Sequence, residues 1–128
     1  MTALNYLESL NPLQYESVCS TEGPNLIIAG AGTGKTKVLT TRVAHIIDNN
    51  LAFPSQILCV TFTNKAAREM SERVQKLVSQ NMEKMPWMGT FHSIGAKIIR
   101  NHAEVISLKQ SFTILDKDDQ LSLIKQII

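Results

Sequence analysis

The chain has 128 residues, an apolar fraction of 44%, a charged fraction of 19% and a net charge of +2. These values fit one soluble globular domain with a core of its own and exclude a disordered chain. The small net charge excludes a polybasic route to nucleic acid, so any such binding has to come from specific residues.

In chain order, Asn11-Pro12 starts the first predicted helix, with Asn as N-cap and Pro at the first helical position; it runs to about Ser20. Thr21-Glu22-Gly23-Pro24 breaks it. The apolar run Asn25-Leu26-Ile27-Ile28-Ala29 predicts a short buried strand. After a glycine-rich loop, Leu39, Val43, Ile46 and Ile47 recur at helical spacing, and that helix ends near Asp48-Asn49-Asn50. Gln56 to Phe62 reads as a second buried strand. Thr63 or Asn64 then caps a helix whose apolar stripe is Ala67, Met70, Val74, Leu77 and Val78, with Glu69–Arg73 and Glu72–Lys76 on its outer face. Pro86 to Phe91 suits a third, short strand, and His92 to about Ile106 a helix. Phe112-Thr113-Ile114-Leu115 is a short strand or extended segment, and Asp116 caps a last helix reaching the C-terminus.

This alternation predicts an α/β domain with a parallel sheet and right-handed helical crossovers. The last helix carries Leu121, Leu123, Ile124, Ile127 and Ile128 on a face with nothing after it to cover it, so the chain is expected to be part of a longer protein. No apolar run reaches the roughly 18 residues that span a bilayer, and the start lacks the pattern of a signal peptide. Cys19 and Cys59 show no metal-type spacing; a reducing, cytoplasmic location is expected.

The loop Ala29-Gly30-Ala31-Gly32-Thr33-Gly34-Lys35-Thr36 lies between the predicted strand and helix. Successive glycines let backbone N–H groups face phosphate oxygens, and the helix adds its positive end. Lys35 is the candidate for the β- and γ-phosphates, and Thr36 for a Mg²⁺ ion that bridges them. Ala29 stands where the usual pattern has Gly. Lys37 is a candidate nucleotide contact or a solvated helix lysine. This loop alone does not choose between kinases, GTPases, ABC-type ATPases and nucleic-acid motors.

Four segments narrow the choice: Leu10-Asn11-Pro12-Leu13-Gln14, then Ala29 to Thr36, then Val60-Thr61-Phe62-Thr63-Asn64-Lys65-Ala66-Ala67-Arg68-Glu69-Met70, and last Gly89-Thr90-Phe91-His92-Ser93. In order and spacing they resemble the Q motif and motifs I, Ia and Ib of the UvrD/Rep/PcrA-like superfamily 1A DNA helicases, over nearly the whole chain. The resemblance implies a RecA-like P-loop NTPase fold, incomplete in this chain. Residues 1–110 would form the amino-terminal part of the ATP-binding domain, and residues 111–128 the start of an inserted helical subdomain. It also puts Gln14 on adenine, whose donor and acceptor edge one amide matches, favouring ATP. Thr61, Phe62, Thr63 and Asn64 would contact single-stranded DNA, as would Thr90, Phe91, His92 and Ser93. On the residues alone, Phe62 as a core residue, Thr63 and Asn64 as plain caps, and His92 as structural stay open. Lys65 and Arg68 read as a solvated helix face, and His45 and His102 receive no role.

Hydrolysis also needs an acidic residue for Mg²⁺ and a group that orients water. The resembled family carries these in an Asp-Glu pair after an apolar strand, which this chain lacks; Asp116, Asp118 and Asp119 read as capping and helix-dipole acids. The resemblance therefore implies an amino-terminal fragment of a 3′–5′ DNA helicase or translocase of repair or replication. Its partners would be ATP, single-stranded DNA and a second motor domain from the same chain, with little turnover by the fragment alone. The alternatives are a P-loop kinase or other NTPase without a nucleic-acid role, and a non-catalytic nucleotide-binding module.

Overall fold

The computed structural model of the chain describes residues 5–30, 34–78 and 85–128. A single helical turn, α1 (Asn5–Glu8), precedes α2 (Pro12–Cys19). The start of α2 follows from its sequence: Asn11 Oδ1 accepts the Gln14 N–H at 2.8 Å, and Gln14 Oε1 accepts the Asn11 N–H at 3.0 Å. This reciprocal capping box satisfies two amides that the helix leaves without intrahelical partners.

The strand expected over Asn25–Ala29 is not formed. Residues 24–30 have no regular secondary structure, and Leu26 and Ile28 are 87% and 88% exposed. A strand exists only when neighbouring backbones pair with it. The sheet of the described residues has two strands, β1 (Cys59–Thr61) and β2 (Met88–Thr90), which pair with each other. Both are shorter than the sequence predicts. The β1 side gives up its first residues to a 3₁₀ turn at Pro54–Gln56, and β2 hands over at Phe91 to a helix. The pairing is parallel, with Cys59 opposite Met88, Val60 opposite Gly89 and Thr61 opposite Thr90. The α/β class is thus observed, with a small parallel sheet.

Helix α3 (Lys35–Asp48) ends where expected, but its buried face is rotated. Val38, Val43, Ala44 and Ile47 point inward, whereas Leu39 is exposed and Ile46 half-buried. Thr40 and Thr41 are buried as well, because their hydroxyls bond back to the carbonyls of Thr36 and Lys37, at 2.9 and 2.6 Å. Helix α4 (Asn64–Leu77) keeps its expected stripe: Met70, Val74 and Val78 are buried, and Ala67 and Leu77 half-buried. Val43, Ala44 and Ile47 of α3 meet Cys59, Met70, Val74, Val78 and Met85 in one apolar cluster. In this core α3 packs on α4, Cys59 brings in β1, and burial pushes the Cys59 thiol pKa up.

Backbone contacts divide the chain into two compact units, Met1–Ile94 and Gly95–Ile128. The helix expected to run to about Ile106 stops earlier: α5 (Phe91–Asn101) is followed by a 3₁₀ turn, Ala103–Ile106, that closes on Ser107 at φ 59°. In the second unit the Arg100 guanidinium lies 4.8 Å above the Phe112 ring. Residues 112–116 form no strand, and α6 (Lys117–Ile127) follows. Asp116 is its N-cap, accepting the Asp119 N–H at 2.7 Å, which bears out the capping role expected of that acid. On α6, Leu121, Leu123, Ile124 and Ile127 are exposed. Among the described residues no helix is long and apolar enough to cross a membrane.

Candidate functional site

Two surfaces of the first unit carry the candidate residues. The first is the start of α3. Its N-cap, Gly34, has φ +83°, a left-handed conformation that favours glycine. A Cβ built there would also lie 3.1 Å from Gln14 Nε2. The backbone conformation therefore requires glycine, and the Gln14 side chain leaves little room for anything larger. No side chain caps α3 and no acid sits in its first turn. Its start therefore carries a positive end with neither a side-chain cap nor an acid of its own to offset it. Lys35 and Thr36 stand exposed in that turn, with Ala29 and Gly30 on the approach. Ala31, Gly32 and Thr33, candidates along with them, lie outside the described residues.

Two cations of α3 tie the earlier helices to this end. Lys37 Nζ donates to the Ser9 carbonyl at 2.9 Å, and Arg42 Nη1 to the Ser17 carbonyl at 2.7 Å. Arg42 thus reaches a carbonyl in the last turn of α2, where a cation is favoured. The Tyr6 hydroxyl lies 3.3 Å from His45 Nδ1, so α1 is attached to α3 as well. Between α2, α3 and residues 25–30 lies a groove of about 760 Å³, which Gln14, Lys35 and the exposed Leu26 and Ile28 help to line.

The second surface is the carboxyl edge of the sheet. The parallel register sets Thr61 beside Thr90, so the residues that follow emerge side by side. Phe62 is 90% exposed and Phe91 58%, and their ring centroids are 5.6 Å apart at an interplanar angle of 48°. That distance is typical of paired aromatics, but exposure of both rings in water calls for a partner. Thr61 is buried; its hydroxyl donates to the Thr63 carbonyl at 3.1 Å. Thr63 caps α4 by accepting the Ala66 N–H at 3.1 Å, one of the two roles its sequence position allows. Asn64 and His92 are exposed beside the rings. Thr90 and Ser93 bond to each other across the first turn of α5. The structure brings Thr61–Asn64 and Thr90–Ser93 together on one edge.

Residues 10–128 match the family model of the UvrD/REP helicase N-terminal domain. The chain belongs to that family. It is similar to DNA helicase II of Rickettsia typhi, 53% identical over 126 residues, covering 97% of this chain and 19% of that protein. It is also similar to the ATP-dependent DNA helicase PcrA of Staphylococcus aureus, 52% identical over 122 residues, covering 95% of this chain and 17% of that protein. A probable DNA helicase II homolog of Rickettsia conorii matches at 52% over 126 residues, with 97% and 19% covered. The chain spans less than a fifth of the length of these relatives.

Within this UvrD/REP N-terminal domain three residues have roles that their sequence does not announce. Gly89 stands out in the sequence only as the first residue of a longer segment, yet a Cβ on it would lie 2.7 Å from Ser93 Oγ. Asn25, expected to begin a strand, instead closes the preceding turn: its Nδ2 donates to the Gly23 carbonyl at 2.9 Å. Arg42, which belongs to no motif, joins α3 to α2. The Gly23-Pro24 pair is a turn signal that Asn25 extends, whereas nothing local marks Gly89 or Arg42, whose partners come from other elements.

Proposed function

We propose that this chain is the amino-terminal ATP-binding part of the first motor domain, RecA-like in fold, of an ATP-dependent DNA helicase or translocase. The reading takes ATP with Mg²⁺ as the fuel and single-stranded DNA, travelled 3′ to 5′, as the track. Repair or replication is the setting, and a second motor domain of the same protein completes the ATP site. Residues 111–128 begin an inserted helical subdomain.

The observation that carries this reading is the paired exposed rings of Phe62 and Phe91 on one surface, together with an uncapped, phosphate-compatible helix start on the other. Lys35 is the residue for the β- and γ-phosphates, with Ala29, Gly30, Ala31, Gly32, Thr33 and Gly34 as the loop assigned to them. Thr36 would hold Mg²⁺, which would supply charge neutralisation to the phosphates. Three features fit the phosphates: the left-handed Gly34, the absence of a side-chain cap, and a first turn free of acids. Gln14 recognises adenine, which its place beside Gly34 supports. Lys37 contributes from its anchor at Ser9 by fixing α1 to α3. On the second surface the rings stack on bases, with Thr63, Asn64, His92 and Ser93 as the exposed polar surround; Thr61 and Thr90, expected to touch DNA as well, are buried beneath them and support it. A compact kinase fits less well, because two exposed aromatic rings at a sheet edge serve no phosphoacceptor chemistry.

The test is steady-state ATP hydrolysis by the intact protein that carries this sequence, with and without oligo-dT. Strong stimulation by the oligonucleotide, abolished in Lys35→Ala, is the expected result. Hydrolysis indifferent to DNA would overturn the motor reading and return the Phe62–Phe91 edge to a structural role.

A further inference from the structure

A serine hydroxyl has one hydrogen to donate and two positions at which to accept. Ser93 uses all three within its own turn. Its Oγ donates to the Thr90 carbonyl at 3.1 Å, accepts the Thr90 N–H at 3.0 Å and accepts the Thr90 hydroxyl at 3.0 Å. The Ser93 N–H returns to Thr90 Oγ1 at 3.1 Å. These four bonds close a ring around Phe91 and His92, and no capacity of the Ser93 hydroxyl is left for a phosphate. The ring has room only because position 89 is glycine, since a Cβ there would lie 2.7 Å from Ser93 Oγ.

The consequence falls on Phe91. As the first residue of α5 it lies between the two residues of the ring, and its side chain faces Phe62 at 5.6 Å. Phe91 is 58% exposed, so packing holds it weakly and the backbone bonds on either side carry much of its placement. We propose that Ser93 is a positioning residue that acts through Phe91. By closing the first turn of α5 it sets the Phe91 ring against Phe62, so that the two present one stacking platform to the bases of single-stranded DNA. Gly89 is the residue that admits it. This rests on the single-strand reading above and replaces a direct contact by Ser93 with an indirect role.

The experiment is fluorescence anisotropy of labelled oligo-dT with the intact protein, measured as a double-mutant cycle between Ser93→Ala and Phe91→Ala. Ser93→Ala alone should weaken binding about fivefold, the scale of a lost helix cap; Ser93→Thr should restore it, and affinity for an ATP analogue should not move. In the Phe91→Ala background Ser93→Ala should have no further effect. An equal loss in both backgrounds would mean direct contact with DNA and would overturn the proposal. So would unchanged binding by Ser93→Ala when Phe62→Ala and Phe91→Ala each weaken it. If neither phenylalanine variant alters binding, the single-strand reading itself fails and takes the proposal with it. Should Ser93→Ala not fold, Ser93→Cys is nearly isosteric and bonds only weakly; the same cycle with it separates the same outcomes.

Discussion

The helices at the two candidate surfaces begin in opposite ways. α3 starts at a left-handed glycine with no side-chain cap, whereas α4 and α5 start at threonines whose side chains already take up backbone amides. An uncapped N-terminus keeps its amide donors and positive end for an anion; a capped one has committed part of them. The same secondary structure therefore leaves a start suited to an anion on one surface and, on the other, acts as a mount for exposed aromatic rings. A single residue type at the N-cap decides which.

The largest expected effect breaks the α3 side of this contrast. Lys35→Ala should lower affinity for a fluorescent ATP analogue roughly 10- to 150-fold, the scale of a charge-assisted hydrogen bond; an unchanged titration would remove the phosphate reading. On the other side, Phe62→Ala should weaken oligo-dT binding by about 1–3 kcal/mol, the scale of one base–aromatic stack. Because the ring is 90% exposed, urea unfolding of that variant should stay within about 0.5 kcal/mol of the parent. A marked loss of stability instead would make Phe62 a core residue.

The caps themselves give smaller effects. Gly34→Ala imposes a left-handed conformation on a residue with a Cβ, which costs about 1–2 kcal/mol. Its unfolding midpoint should fall, and nucleotide binding should weaken as the new Cβ crowds Gln14 Nε2. Thr63→Ala should cost about 1 kcal/mol of stability through the lost cap of α4. A variant as stable as the parent would show that the cap is not what separates α4 from α3.

The smallest effect is one of pH. Burial first, then the charge of Asp48 and then Cys19, push the Tyr6 pKa up to about 12 from an ordinary 10.0. The folded chain therefore holds this proton more tightly than the unfolded chain. The resulting stabilisation is complete below pH 10 and is lost as pH rises through about 12. Thermal unfolding of Tyr6→Phe should lack that alkaline dependence; an identical alkaline limb in the variant would assign it to another group.

Much of the surface proposed for nucleotide is legible in the sequence because it is contiguous. Asn11, Pro12 and Gln14 specify the start of α2 by local hydrogen bonding, and Gly34 to Thr36 specify the start of α3 by conformational freedom and charge. The amphipathic stripe of α4 is equally readable, since Met70 and Val74 repeat at helical spacing on a charged helix. The failures have a common cause. Asn25–Ala29 has the composition of a strand, but a strand is a property of a pair, and the described residues offer it no partner. In α3, Val43 and Ile47 are buried as expected, but the buried threonines and the exposed Leu39 rotate the face, because hydroxyls bonded back to their own helix are no longer costly to bury.

By itself, then, the sequence determined the elements whose causes lie within a few residues: the caps of α2, α4 and α6, the glycine at the start of α3, and the order of four motifs that marks the helicase family. Only tertiary structure decided that Thr61 stands beside Thr90, that Phe62 therefore faces Phe91, and that Gln14 lies against Gly34. Local chemistry acts over one turn of chain and can be read from neighbours. Strand register and helix packing join residues far apart in sequence, and they are fixed only when the core of α3, β1 and α4 closes.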